Sequence, residues 1–218
     1  MTFIHSTVIW LATPGNWWGE AGLLHRSLEH MIYTLLAVGL ACVVAIPLGW
    51  FIGHTGRGKT LVIALPGIAR ALPTLGVITL IGMLMGIGLL GPLIALMILA
   101  VPSILAGAYG GIDALRRDTV DAARALGMTE WQILFRVEVP LSLPLLLGGI
   151  RSAMLQVLAT ATLAAYVGSG GLGRLVFLGL KTQNYDMMLA ASLAVVVLAI
   201  FSEVIFSLAQ RLGTPVHR

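Results

Sequence analysis

Residues 121–140 read Asp-Ala-Ala-Arg-Ala-Leu-Gly-Met-Thr-Glu-Trp-Gln-Ile-Leu-Phe-Arg-Val-Glu-Val-Pro, a charged stretch between long apolar runs. The residues on both sides of Gly127 are compatible with short helices. Glycine adopts a left-handed backbone at little cost, so Gly127 is expected to end the first helix and redirect the second. Pro140 is expected to stop the second helix, because proline lacks the N–H that a helix needs. The stretch therefore predicts two short helices hinged at a glycine.

The composition around this stretch is that of an integral membrane protein. The chain has 218 residues, of which 58% are hydrophobic and 10% charged, and its mean hydropathy is +0.98. A soluble domain exposes too much surface for this balance. The length leaves room for about five or six membrane spans. The cations, with a net charge of +4, lie singly between apolar runs, which excludes a nucleic-acid partner.

Neither a metal nor another cofactor is expected. The five histidines show no ligand spacing on one helix face, and Cys42 is the single cysteine.

Five segments are long enough to cross a bilayer: residues 31–52, 61–90, 92–112, 141–167 and 187–208. The second is interrupted by Arg70 and Pro73. Residues 61–72 alone would reach only ~18 Å of a hydrocarbon core ~30 Å thick, too short for a span of their own. We therefore expect one broken or tilted helix over 61–90, with kinks at Pro66 and Pro73.

The termini and the basic residues predict the orientation. Residues 1–26, with Trp17 and Trp18, are expected to form an extracytoplasmic, interfacial segment. Five spans from an outside N-terminus place eight basic residues inside: Arg57, Lys59, Arg116, Arg117, Arg124, Arg136, Arg211 and Arg218. Three lie outside: Arg26, Arg174 and Lys181. The asymmetry favours an outside N-terminus and a cytoplasmic tail at residues 213–218, and it puts residues 113–140 in the cytoplasm.

The spacing within the charged stretch carries a family resemblance. The residues concerned are Asp121, Ala122, Ala123, Gly127, Val137, Val139 and Pro140. Their order resembles the acid-Ala-Ala-x3-Gly-x9-Ile-x-Leu-Pro loop of ABC importer permeases, with Asp replacing Glu and Val replacing Ile and Leu. The resemblance covers about residues 27–212. It implies an all-α, type I ABC importer transmembrane domain of about five helices, in which Asp121, Ala122, Ala123, Gly127 and Pro140 belong to a cytoplasmic coupling-helix loop that docks into a groove on an ATPase subunit.

The resemblance also implies partners and a mechanism. Two permease chains, identical or paralogous, would assemble with two ATPase subunits in a bacterial inner membrane, and an extracytoplasmic binding protein would deliver the solute. ATP would close the ATPase dimer, move the docked helices and switch the bundle between inward and outward access. The chain itself would carry out no bond chemistry, so it is not expected to be an enzyme.

A glycine-rich run indicates the branch of the family. Residues 168–173 match G-x-G-x-x-G, but they follow a membrane helix rather than a strand, so we interpret them as a sharp extracytoplasmic turn and not as a dinucleotide site. Together with residues 161–166, the run looks like that of osmoprotectant permeases, whose solutes include glycine betaine, carnitine, choline and proline. Methionine importers carry a similar run, so methionine or another small amino acid is the alternative solute. The glycines of the turn are Gly168, Gly170, Gly171 and Gly173.

Residues 53–60, Gly-His-Thr-Gly-Arg-Gly-Lys-Thr, match the phosphate-loop string G-x4-G-K-T. A phosphate loop follows a buried strand and needs an acidic metal partner on a second strand. Here helix-length apolar runs flank the string. We therefore interpret it as a short cytoplasmic turn that does not bind nucleotide.

A small set of polar residues within the spans could line the solute pathway: Arg70, Arg151, Tyr33, Tyr109 and Tyr166. Deep arginines face a cavity, a partner or freed carbonyl groups. We favour a structural role for Arg151 and leave Arg70 open. Tyrosines bind quaternary ammonium through cation–π contacts, but they also mark membrane interfaces.

The alternative from another class is an ATPase-independent channel or secondary transporter. An ion-coupled carrier needs coupling-ion ligands within the spans and usually paired repeats, and neither is visible in the sequence.

Overall fold

A computed structural model of the protein describes residues 2–86 and 88–213, and side chains from residue 4 to 210 except those of Ala69 and Arg70. Residues 214–218 of the predicted tail lie outside this part. Within it, the chain forms ten α-helices: α1 (Thr2–Ala12), α2 (Leu23–Thr55), α3 (Lys59–Ala71), α4 (Thr74–Met85), α5 (Leu90–Asp113), α6 (Arg117–Ala125), α7 (Glu130–Ile133), α8 (Val139–Ala164), α9 (Leu172–Lys181) and α10 (Tyr185–Gly213).

The core lies between α2, α5 and α8, with α5 in the middle. Small residues make this packing close. A Cβ atom added at Gly49 of α2 would lie 2.5 Å from the Cβ of Ala108 on α5, and one added at Gly107 of α5 would lie 2.8 Å from the Cα of Gly149 on α8. Close backbone approach of this kind drives helix association in lipid, where burial from water contributes little.

Four helical segments of the described chain are long and apolar enough to cross a membrane: Leu23–Thr55, Leu90–Asp113, Glu130–Val167 and Tyr185–Gln210. A fifth crossing is required because α2 and α5 run in the same direction. The C-terminal ends of α2 and α5 lie side by side, since a Cβ added at Gly53 would meet the Cβ of Ile112 at 2.8 Å. The two helices are therefore parallel, and the chain between them has to return across the bundle.

The helices α3 and α4 make that return together. Their 13 and 12 residues reach about 37 Å at about 1.5 Å per residue, enough for the hydrocarbon core. The broken or tilted helix expected over 61–90 breaks at Pro73, one of its two expected kink sites, and α4 ends at Met85. Leu72 is extended, with φ −74° and ψ 129°, so the chain divides into two helices before Pro73. The residue before a proline disfavours the helical conformation, whereas Pro66 lies inside α3 and does not end it.

Pro140 does not stop its helix, contrary to the prediction. The segment from Glu130 to Val167 is one continuous helix, in which five residues with the wider π-helical turn, Leu134–Glu138, join α7 to α8. Pro140 stands in the first turn of α8. A π turn shifts the hydrogen-bonding register by one residue, which accommodates a proline that cannot donate.

The N-terminal segment packs on the start of α10. The hydroxyl of Ser6 on α1 donates to the Asp186 carboxylate at 2.6 Å, and the Trp17 indole donates to the Leu11 carbonyl at 2.7 Å.

The boundary predicted between residues 26 and 27 falls inside α2, which begins at Leu23. The division into segment, domain and tail stays a prediction.

Candidate functional site

The segment with the permease-like spacing forms a sharp helix–turn–helix. α6 ends at Ala125, and Gly127 has a φ of 81°, so the predicted left-handed backbone is confirmed. The Gly127 N–H donates to the Arg124 carbonyl at 2.9 Å, and the Met128 N–H donates to the Ala123 carbonyl at 3.2 Å. These two bonds close the end of α6 in the manner typical of a glycine-terminated helix.

The second helix of this turn starts on a capping box. The Thr129 side chain accepts from the Gln132 N–H, and the Gln132 side chain accepts from the Thr129 N–H at 2.9 Å. A threonine followed three residues later by glutamine is visible in the sequence, so this cap could have been found there. Together with Gly127 it fixes the direction of α7.

We call residues 117–140 the coupling loop, after the role that the family resemblance implies for this segment. Asp121, Ala122, Gly127 and Pro140 are exposed, but Ala123 is buried within the chain, with 6% of its surface exposed. Ala123 packs inside the turn, so it is less accessible than Ala122, and its contact with an ATPase groove stays a prediction. Two large apolar side chains of the loop had not been predicted to matter. Leu126, beside the Gly127 turn, is 84% exposed, and Trp131 of α7, whose ring stacks on Phe135, is 71% exposed.

Ion pairs join the two sides of the Gly127 turn. The Arg124 guanidinium donates to both carboxylate oxygens of Glu130, at 2.9 and 3.1 Å, and to Asp121 at 3.3 Å. The hydrogen bonds that Arg124 donates to Glu130 raise the pKa of Arg124 above its usual value. The Arg124–Glu130 pair is exposed, but it is bidentate, so its geometry is better defined than that of an ordinary surface ion pair.

A second set of contacts ties the coupling loop to α2. The His54 Nδ1 lies 2.6 Å from a Glu138 carboxylate oxygen, and its Nε2 lies 3.3 Å from a Glu130 oxygen. Glu138 is buried, with 4% of its surface exposed. These contacts are not visible in the sequence, because His54 and Glu138 are 84 positions apart.

At the opposite end of the bundle, the glycine run forms the sharp exit that had been predicted. Gly168 has a φ of 92° and Gly171 a φ of 76°. The Gly171 N–H donates to the Glu29 carboxylate at 2.8 Å, and a side chain at Gly170 would overlap the same carboxylate. A side chain at Gly173 would overlap the carbonyl oxygen of Thr162. The turn needs glycines because it lies directly on its neighbours.

Glu29 of α2 is the centre of this contact and was not predicted from the sequence. Besides Gly171, it accepts from Arg26 at 2.7 Å and from the Tyr33 hydroxyl at 2.6 Å. The neighbouring His30 is buried, with its Nε2 2.9 Å from the Leu158 carbonyl oxygen. Glu29 and His30 therefore fasten the N-terminal part of α2 to the glycine turn and α8, and Arg26 pairs with the Glu29 carboxylate.

The structure does not bring together the four pathway candidates whose side chains it describes. Tyr33 is bonded to Glu29 near the glycine turn. Tyr109 is buried at the other end of the bundle, where the Lys59 Nζ lies 5.9 Å from its ring centroid. Arg151 donates to Glu203 at 2.8 Å and to Gln210 at 2.9 Å, which joins α8 to α10 and favours a structural role. The side chain of Arg70 lies outside the described part.

Tyr166 is the candidate with open space beside it. Its side chain is 60% exposed and lines a cavity of about 440 Å³ with Gly82, Met83 and Gly86. The Phe177 ring packs on its other side, 5.8 Å between centroids. This cavity lies beside the glycine turn.

The phosphate-loop string is a turn between two helices. Its first residues complete α2, Gly56 and Gly58 have φ values of 68° and 87°, and Lys59 begins α3. A helix and not a strand precedes it, and Lys59 pairs with Asp113 at 3.2 Å. The geometry that lets such a string hold phosphates is not formed here.

The helical bundle with its projecting turn defines a class of protein. A chain of the MetNI methionine ABC transporter in an inward-facing conformation superposes with a TM-score of 0.76, covering 88% of this chain and 96% of that one at 22% sequence identity. A chain of an amino acid ABC transporter superposes with a TM-score of 0.69 at 20% identity, covering 87% of this chain and 92% of that one. The fold is that of a type I ABC importer transmembrane domain.

The family follows from the sequence. Residues 45–214 match the family described as binding-protein-dependent transport system inner membrane component, and the chain belongs to that family. It is a multi-pass protein of the inner membrane, and its family implies ATPase and binding-protein partners.

Curated relatives cover almost the full length. The chain is 32% identical over 193 residues to the glycine betaine/carnitine/choline transport system permease protein OpuCB of Bacillus subtilis (strain 168), covering 88% of this chain and 89% of that protein. It is 34% identical over 181 residues to the carnitine transport permease protein OpuCB of Listeria monocytogenes, covering 83% of each.

Proposed function

We propose that this chain is the permease subunit of an ATP-driven importer and forms the translocation pathway for a small compatible solute such as glycine betaine, carnitine, choline or proline. The observation that carries the proposal is the coupling loop. Its glycine turn has the left-handed backbone, Leu126 beside that turn is exposed, and the loop is joined to α2 through His54.

The solute class is supported by the relatives, whose names refer to glycine betaine, carnitine and choline. These solutes include quaternary ammonium ions, which bind to aromatic faces through cation–π contacts. Tyr166, beside the open cavity, is the tyrosine placed to make such a contact. Selection of the solute would rest mainly on the binding protein, and bond chemistry would belong to the ATPase subunits.

In this proposal two permease chains, identical or paralogous, assemble with two ATPase subunits. The N-terminus lies outside and the C-terminus inside. The coupling loop and the C-terminal ends of α2 and α5 lie at one end of the bundle, which would face the cytoplasm. The glycine turn lies at the other end, where the binding protein would dock.

The test is uptake by proteoliposomes that contain the permease, its cognate ATPase and its binding protein. We expect ATP-dependent accumulation of at least one labelled compatible solute, without competition by excess methionine. Competition by methionine would favour an amino-acid permease. Uptake by the permease alone, at the same rate with and without ATPase, would refute the proposal in favour of a channel or secondary transporter.

A further inference from the structure

We propose that His54, Glu130 and Glu138 form a charged strut that makes the cytoplasmic end of α2 move with the coupling loop, and that His54 is a positioning residue for ATP-driven transport. This proposal rests on the proposed function, because it assigns the route by which a docked ATPase would act on the helices.

The first support is that the strut joins elements distant in sequence. His54 stands in the last turn of α2, while Glu130 begins α7 and Glu138 ends the π-helical turn. Both ring nitrogens of His54 face carboxylates, at 2.6 Å for Glu138 and 3.3 Å for Glu130. One imidazole ring can therefore contact both carboxylates through its two nitrogens.

The second support is burial. Glu138 is only 4% exposed and the His54 side chain 14% exposed. A buried carboxylate is costly unless it is paired, so the two helices have to keep their relative position for the pair to persist. Pro140 and the π turn before it contribute to this geometry, because the turn determines the side on which Glu138 projects.

The third support is continuity in both directions. On the loop side, Glu130 is held by Arg124, which connects the strut to α6 across the Gly127 turn. On the membrane side, α2 packs against α5 without a gap, since Gly53 has no room for a side chain beside Ile112. A displacement of the loop would therefore be transmitted to the α2–α5 pair through bonded and close-packed contacts.

Two variants, one single and one double, separate this role from a purely structural one. Glu138→Gln keeps the shape and a hydrogen bond but removes the charge. The double substitution His54→Leu with Glu138→Leu removes the link without leaving a buried charge unpaired, and apolar replacements of buried ion pairs are often neutral for stability. The matched control is Asp113→Asn, which removes an exposed carboxylate paired with Lys59 at the same end of the bundle.

The measurement is solute taken up per ATP hydrolysed by the reconstituted permease–ATPase complex with its binding protein, at equal amounts of complex. We expect the ratio to fall about threefold or more in Glu138→Gln and further in the double variant, while Asp113→Asn matches the unsubstituted protein. A double variant that does not assemble leaves Glu138→Gln to decide. An unchanged ratio of solute to ATP in Glu138→Gln and in any assembled double variant would overturn the proposed role of His54, Glu130 and Glu138. It would leave the proposed function of the chain unaffected. Absence of ATP-dependent uptake by the unsubstituted complex would overturn the proposed function as well.

Discussion

Replacement of Gly127 by valine tests whether the coupling loop needs its left-handed turn. Gly127 has a φ of 81°, and a Cβ atom added there would meet no heavy atom within 4 Å. A Cβ atom therefore has room at this position, and the expected effect comes mainly from the positive φ. The turn is exposed and outside the membrane-spanning helices, so insertion of the chain into the bilayer should survive.

The size of the effect follows from the backbone energy. A left-handed conformation costs a residue with a side chain about 1–2 kcal/mol, and a β-branched residue lies at the upper end or above. That energy corresponds to a roughly 5–30-fold loss of the correctly turned loop. If only this form transmits the movement of the ATPase, uptake should fall by a similar factor.

The assay is solute uptake together with co-purification of the ATPase, at matched membrane abundance of the permease. Gly19→Val is the control, because Gly19 has a φ of 89°, equally open surroundings and a place in the N-terminal segment. Gly127→Asn should retain more activity than Gly127→Val, because asparagine tolerates the left-handed conformation. Normal uptake with normal ATPase retention in Gly127→Val would refute the role of the turn.

Three further predictions concern topology, nucleotide and packing. In a cysteine-free protein, a cysteine placed at Arg117 should be labelled from the cytoplasmic side, and labelling only from outside would contradict the orientation. Lys59→Ala should leave ATP hydrolysis by the complex intact, and loss of nucleotide binding by the isolated chain would contradict our interpretation of the phosphate-loop string. Gly173→Ala should lower the amount of folded protein in detergent, because its side chain would overlap the Thr162 carbonyl oxygen, whereas Gly67→Ala, with no neighbour within 4 Å, should not. Equal yields of the two would contradict the packing of the glycine turn.

The features predicted correctly are those that depend on short stretches of sequence. The long apolar runs of α2, α5 and α10 predicted crossing helices, and a single glycine between two helical patterns predicted the left-handed turn at Gly127. Local rules about proline were less reliable. Pro73 divides its segment as expected, but the helix containing Pro140 continues through it, since a π turn next to the proline absorbs the missing donor.

The features missed are those that bring distant residues together. Glu29 bonds Gly171 at a separation of 142 positions, and His54 bonds Glu138 at a separation of 84. Single charged or polar residues near the ends of apolar runs look like topology determinants in the sequence. Their partners depend on which helices pack together and on how each helix is rotated about its own axis. Short stretches of a single sequence do not contain that information.

Capture of an ATPase subunit at the coupling loop tests the central claim most directly. A photo-activated cross-linking residue would replace Leu126, which is 84% exposed at the tip of the loop, and in a control it would replace Met83, which is 79% exposed near the opposite end of the bundle. In membranes that contain the cognate ATPase, position 126 should cross-link to the ATPase and position 83 should not. Equal cross-linking at both positions, or none at position 126 in a complex that transports, would contradict the assignment of residues 117–140 as the ATPase-docking element.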